Sequence, residues 1–386
     1  MKPLRIFLSA LLLGLLIYGC ATNPVTGRSE LALISEQQEI ALGRDNYGYQ
    51  QQLQGGPYLL DDELTRYVRE VGEKLARVSD RPHLPYEFVV LNDSTWNAWA
   101  MPGGKIAINR GLLKSLRNES ELAAVLAHEI VHVAARHSAQ QMQRGMMLQL
   151  GVAGAAGLAG ENRGDIVQTV GGLAGGLGLL RYSRAAEIEA DYYGILYMVD
   201  AGYDPVGAVT LQEMFAENQR SAGGWLASHP ASVERVRRNR EAIERNRSEN
   251  GYIGENEYRV RTRNLRDRAP AYELYDQGLE ALKNNRHQEA LRLANEAQNV
   301  EPREALFHGL EAKAHEAMNN PNAALRAWDQ AIQLNSEWFL FHLERGLLHE
   351  KAGRHTQARR DLERSFELLP TQTAKDALER LGVSIG

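Results

Sequence analysis

The sequence predicts a mainly α protein with a small β-sheet: an α+β domain followed by an α-solenoid. Three observations predict it. Helical spacing of apolar residues recurs through the N-terminal part of the chain, as in Leu64, Val68, Val71, Leu75 and Val78. Two stretches instead read as short strands, Tyr86–Asp93 and Gly103–Leu113, the second ending in a turn. In the C-terminal part, small residues return every 34 positions. The chain has 386 residues, 44% hydrophobic and 7% aromatic, enough for two or three domains with real cores.

The first elements form a targeting segment. Lys2 and Arg5 precede an apolar run from Ile6 to Ile17. That run is shorter than the roughly 20 residues a membrane span needs, and suits a signal-peptide core. Tyr18 and Gly19 then lead to Cys20, the single cysteine of the chain. The arrangement resembles a bacterial lipoprotein signal. It implies cleavage after residue 19, lipidation of Cys20 and a lipid anchor in the membrane. Ala21 at the next position, by resemblance to sorted lipoproteins, points to the periplasmic face of the outer membrane. Residues 20–55 follow as a tether and N-terminal segment, with helical spacing at Ile40, Leu42 and Tyr47.

Residues 56–245 carry the α+β domain. Glu63–Val78 is an amphipathic helix, and the two strands follow it. A long helix is expected over Glu119–Met142. Residues 151–180 are rich in glycine and alanine, which suits either close helix packing or a mobile apolar flap. Residues 246–270 are polar and read as a linker. In residues 271–386 the 34-residue period aligns Gly278, Ala312 and Gly346; Ala290, Ala324 and Ala358; Ala297, Ala331 and Ser365; and Pro302, Ser336 and Pro370. Small side chains are needed where paired helices touch, and this is the tetratricopeptide pattern. Three repeats and a capping helix are expected, enough to stack into one core.

The chemistry lies in the stretch AHEIVHVAARHS, residues 127–138. Residues four apart on a helix lie only about 40° apart around its axis. His128 and His132 therefore face one point, the H-E-x-x-H arrangement for zinc, with Glu129 placed as proton acceptor. His137 lies five residues past His132, about 140° away on a continuous helix, and reads as structural or surface. The remaining ligand is sought in RYSRAAEIEADYYG, where Glu187 and Asp191 share a face. A glutamate completes a two-histidine, one-glutamate zinc site, and Asp191 suits a hydrogen bond that fixes a ligand histidine. Alone, these acids would equally solvate a helix.

The chain resembles the gluzincin peptidases of metallopeptidase family 48, in particular the periplasmic members that carry C-terminal tetratricopeptide repeats. The resemblance runs through NPVTGRSELALISEQQE, NAWAMPGGKIAINRGLL, HEIVHVAARH, the Glu187/Asp191 pair and SHPASVERVRR. It implies one Zn2+ per chain held by His128, His132 and Glu187, with Glu129 as base. It implies that His229 lies near the metal, as a fourth ligand that keeps the enzyme latent or as a donor to the reacting carbonyl. It also implies that Asn97–Ile108 is an active-site edge strand, with Ala100, Met101, Pro102, Gly103, Gly104, Lys105 and Ile106 offering backbone groups to an extended substrate.

The function expected is a zinc endopeptidase of the bacterial cell envelope that degrades misfolded or stalled periplasmic and outer-membrane proteins. Its repeats would recruit clients or the outer-membrane assembly machinery. The rival expectation is an envelope chaperone or scaffold acting through the repeats. A zinc hydrolase of non-peptide substrates is a lesser alternative. A net charge of −5, from 44 basic and 49 acidic residues, argues against a nucleic-acid binder.

Overall fold

The computed structural model describes residues 20–144, 182–219, 221, 223–229, 233–246 and 251–385. The expected signal peptide and the glycine-rich stretch 151–180 lie outside these residues. Among the described residues no helix is long and apolar enough to cross a membrane. The chain divides into two compact units. The first comprises Met1–Gln50, Thr65–Val89 and Thr95–Arg259, and the second Gln51–Leu64, Val90–Ser94 and Val260–Gly386.

The segment after Cys20 is structured. Strand β1 (Cys20–Thr22) pairs antiparallel with β2 (Ser29–Leu31). Asn23, at the turn between them, is buried and donates from Nδ2 to the backbone carbonyl of Ala135, at 3.1 Å. Helix α1 (Glu36–Leu53) follows, then α2 (Asp62–Ala76), whose Leu64, Val68, Val71 and Leu75 are buried as their spacing requires.

The sheet has three strands where two were expected. Its order is β3 (Glu87–Leu91), β5 (Lys105–Asn109), β4 (Ala98–Met101). Strands β4 and β5 form an antiparallel hairpin with Ala98 opposite Ile108 and Met101 opposite Lys105. Gly103 and Gly104 turn it, at φ 76° and 90°, a region open to glycine without a Cβ penalty. This corrects the expected edge strand. Ala100 and Met101 lie on the edge strand β4, Pro102–Gly104 form the turn, and Lys105 and Ile106 sit on the central strand. The residues after β5 form a short helix, α3 (Arg110–Ser115), rather than a turn.

The hairpin turn is held by α1. A Cβ at Gly43 would lie 2.0 Å from the carbonyl oxygen of Pro102. Gly43→Ala should therefore destabilise the fold by about 1–3 kcal/mol through overpacking. A lowered urea midpoint at unchanged m would show it.

Helix α4 (Glu119–Ala134) is buried along its whole length, as an all-round apolar helix must be. Asn118 caps it by accepting from the Glu121 amide. It packs against β4, α5 (Arg184–Asp200) and α6 (Val206–Glu217). Gly207 lets α6 approach closely, since a Cβ there would meet Ser120 at 2.2 Å. The single helix expected over Glu119–Met142 is broken: Arg136 has φ 63°, and a new helical run starts at residue 137. Helices α7 (Gly223–Ser228), α8 (Val233–Asn246) and α9 (Glu255–Arg261) follow.

The second unit holds helix pairs α10 (Arg263–Lys283) and α11 (His287–Val300), α12 (Ala305–Ala317) and α13 (Pro321–Leu334), α14 (Phe339–Lys351) and α15 (His355–Leu368), then α16 (Gln372–Arg380). The small residues of all three columns are buried at the helix contacts. A Cβ at Gly278 would meet a Leu310 methyl at 2.5 Å, which is why the column is small. Pro302, Ser336 and Pro370 each fall two residues past a helix end. A further column appears in the turns. Asn285, Asn319 and Gly353, spaced by the same period, take φ 58°, 59° and 71°. Within 246–270, expected as a linker, residues 255–261 and 263 onward are helical. Gln51–Leu64 and Val90–Ser94 pack with the repeats: Gln52 donates to the Glu337 carbonyl at 2.6 Å and Asn92 to the Glu304 carboxylate at 3.1 Å.

Candidate metal centre

Helix α4 places His128 and His132 one turn apart with their Nε2 atoms 3.1 Å from each other. The first turn of α5 supplies Glu187, and His229 follows α7. These four side chains are buried, and their donor atoms lie within 4.8 Å of one another. Glu187 Oε1 is 3.4 Å from His132 Nε2 and 3.0 Å from His229 Nδ1, and Oε2 is 3.6 Å from His128 Nε2. His229 Nδ1 is 3.2 Å from His128 Nε2. Ligands about 2.0–2.2 Å from a tetrahedral zinc stand roughly 3.3–3.6 Å apart, so the spacing and the nitrogen–carboxylate donor set fit that ion.

Charge points the same way. Asp191, one turn beyond Glu187, lies with Oδ1 3.1 Å from His128 Nδ1. Burial would raise the Asp191 carboxyl, but Arg235 and His128 hold it below the usual range. Burial would likewise raise Glu187; His229, His128 and His132 outweigh it and hold that carboxyl far below its ordinary value. Burial disfavours a proton on His128, yet Asp191 and Glu187 push its pKa up to about 9. Two buried carboxylates thus draw positive charge toward these imidazoles, and a divalent cation would meet that demand. Arg235, on α8, is shared by both acids: Nη1 is 2.8 Å from Glu187 Oε2, and Nε is 2.7 Å from Asp191 Oδ2.

Glu129 is fully buried beside this cluster, and neither of its carboxylate oxygens accepts a hydrogen bond. His229 Nε2 stands 3.3 Å from Oε1. Burial pushes the Glu129 carboxyl up, against the pull of His229 and His128. A buried carboxyl that accepts no hydrogen bond is unusual in a folded protein and suits a group that must take up a proton.

The structure brings His128, Glu129, His132, Glu187, Asp191 and His229 together. Of the residues expected to form the substrate strand, Ala100 and Met101 lie on β4, which packs on α4, and the Trp225 amide of α7 donates to the Trp96 carbonyl just before β4, at 2.8 Å. Cys20 opens β1. Sequence reasoning missed Arg235, one of several arginines in an ordinary amphipathic pattern. It also missed Tyr182 and Trp225. Tyr182 stacks on His132 at 3.7 Å between ring centres, and Trp225 stacks on His229 at 4.2 Å. His137 is not on the surface. It is buried, with Nδ1 2.8 Å from His132 Nδ1. The turn at Arg136 invalidates the continuous-helix angle. A cavity of about 300 Å³ opens beside His128 and His229, walled mainly by apolar residues such as Ile195, Met198, Leu211 and Phe215.

Peptidase family M48 is matched over residues 62–243, which contain all of these groups. The beta-barrel assembly-enhancing protease of Yersinia pestis is 31% identical over 230 residues, covering 55% of this chain and 45% of that protein. The mitochondrial metalloendopeptidase OMA1 of Schizosaccharomyces pombe is 37% identical over 180 residues, covering 45% and 51%. The beta-barrel assembly-enhancing protease of Escherichia coli K12 is 28% identical over 355 residues, covering 81% and 72%. The chain thus spans about half the length of the first two relatives.

Proposed function

We propose, from the match of residues 62–243 to peptidase family M48, that this chain is a zinc endopeptidase of the bacterial cell envelope that degrades misfolded or stalled periplasmic and outer-membrane proteins. One observation carries the reading: a buried Glu129 carboxyl that accepts no hydrogen bond, beside a buried two-histidine, one-glutamate donor set. His128, His132 and Glu187 would hold one Zn2+. Bound there, zinc would supply Lewis acidity, activating a water and polarising the scissile carbonyl. Glu129 takes the proton of the attacking water and delivers it to the leaving amine. Asp191 and Arg235 keep His128 and Glu187 oriented. The edge of β4 receives an extended substrate by backbone pairing, so selection falls on unfolded chain rather than on sequence.

His229 sits where a fourth ligand would sit, and in this arrangement the enzyme is latent. The Trp225–Trp96 bond joins the α7–His229 segment to the strand that receives substrate. Substrate pairing on β4 would then be the signal that withdraws His229. His229→Ala should raise hydrolysis of an unfolded protein severalfold while zinc content stays at one per chain. A fall in rate instead would assign His229 to stabilising the reacting carbonyl.

Cys20 carries a lipid anchor in this reading, and the repeats recruit clients or the outer-membrane assembly machinery through their concave face. The names of the Yersinia and Escherichia relatives support that setting. The direct test is hydrolysis of a reduced, unfolded protein by the purified zinc-loaded chain. Activity that survives complete removal of zinc by a chelator would overturn the reading.

A further inference from the structure

His137 and Glu189 take no part in the chemistry above, yet both are tied to the cluster. His137 Nδ1 lies 2.8 Å from His132 Nδ1, and His137 Nε2 lies 3.2 Å from Glu189 Oε1. The geometry points to a carboxylate–imidazole chain behind His132, in which His137 and Glu189 are positioning residues that fix the tautomer and the ring plane of a metal ligand. This rests on the reading of His132 as a ligand.

Proton placement follows from the contacts. His132 Nε2 faces the cluster, 3.4 Å from Glu187 Oε1 and 3.1 Å from His128 Nε2. A ligand nitrogen presents a lone pair, so the one ring proton of His132 sits on Nδ1. That proton needs an acceptor, and His137 Nδ1 is in place to be it. The ring proton of His137 must then sit on Nε2, where Glu189 accepts it. One assignment of protons satisfies every contact in the chain. Both histidines of α4 are then backed by a carboxylate from α5, His128 directly by Asp191 and His132 by Glu189 through His137.

The backbone is bent to make this contact. On a continuous helix His137 would point about 140° away from His132. Arg136 instead adopts φ 63°, a left-handed conformation that a non-glycine residue holds only when its surroundings enforce it. Those surroundings come from the N-terminal segment. Arg136 pairs with Glu39 and donates to the Ile34 carbonyl. Arg81 pairs with Glu39 at 2.9 Å and donates to the Val133 carbonyl at 3.2 Å. Asn23 holds the Ala135 carbonyl. Tyr182 covers one face of the His132 ring and bonds Ser138 through its hydroxyl at 2.8 Å, so the ring is fixed in its plane as well.

The test is zinc affinity of the full chain by chelator competition, beside thermal melting of the zinc-free proteins. His137→Ala should weaken zinc binding by about 10–100-fold. His137→Asn should recover most of that loss, because its amide oxygen can replace Nδ1 as acceptor for His132. Glu189→Ala should weaken binding by less than His137→Ala, since it acts through His137. Nitrogen-15 NMR of the zinc-loaded parent should show the His132 proton on Nδ1. Should His137→Ala fail to fold, Glu189→Ala, at a partly exposed position, gives the same readout. Zinc affinity equal to the parent in the folded His137 and Glu189 variants, or a His132 proton on Nε2, overturns the inference. A parent that takes up no zinc overturns the metal-site reading on which it stands.

Discussion

Glu129→Gln is expected to lower the turnover number by at least about 10²–10⁴-fold, the scale of a lost general acid–base. Two further measurements make the result specific. Zinc content should be unchanged, because Glu129 is not one of the four residues whose donor atoms converge. Melting of the zinc-free variant should match or exceed that of the parent. Burial raises the folded-state pKa of this carboxyl, so its contribution to stability is favourable at low pH and lost as the pH rises through that value. Above the ordinary carboxylate pKa the group therefore opposes folding, and an isosteric amide removes the opposition. A variant more stable than its parent, loaded with zinc and inactive, is what a residue kept for chemistry should give. It also separates the proposed function from the rival expectation of a chaperone or scaffold. Full rescue of a deletion strain by Glu129→Gln would favour a chaperone or scaffold acting through the repeats. Parental hydrolysis by the variant would remove Glu129 from the mechanism.

The legibility of this chain in its sequence follows the range of the forces involved. The repeats were readable because each contact is local and periodic. Where two helices touch, only a small residue fits, so the constraint is written at the same place in every unit. The turn column at residues 285, 319 and 353 has the same cause but changes identity, Asn, Asn, Gly, because both types tolerate a left-handed backbone. The spacing of His128 and His132 was readable because helix geometry alone makes two side chains converge. His137 was misplaced by that same geometry. Nothing in the type of Arg136 announces a positive φ, which is imposed by contacts with residues about a hundred positions earlier. The sheet edge failed in a related way. Strand pattern locates strands but does not order them, and the hairpin put Lys105 and Ile106 in the middle. Arg235 is the sharpest case. Arg237, Arg238 and Arg240 on the same helix are exposed, and only the packing of α8 selects the one that is buried.

Arg235→Ala is expected to have the largest effect on stability. Its guanidinium is buried between Glu187 and Asp191 and forms two contacts with the latter, at 2.7 and 2.8 Å. Removing one partner of a buried ion pair leaves uncompensated charge and destabilises by about 3–5 kcal/mol. Here the loss withdraws the guanidinium from two buried carboxylates at once. Lysine at this position would keep the charge but not the planar fork that meets both acids, so Arg235→Lys should recover only part of the loss. The zinc-loaded protein should suffer less than the zinc-free one, because the cation neutralises the same carboxylates that Arg235 serves. Urea unfolding of both forms reads the difference directly. If Arg235→Ala unfolds within about 1 kcal/mol of the parent in the zinc-free form, below the cost of a broken buried pair, then Glu187 and Asp191 cannot both be ionised there. The excess negative charge invoked to attract a cation would then be absent. The same experiment therefore measures the electrostatic basis of the metal site without any assay of hydrolysis.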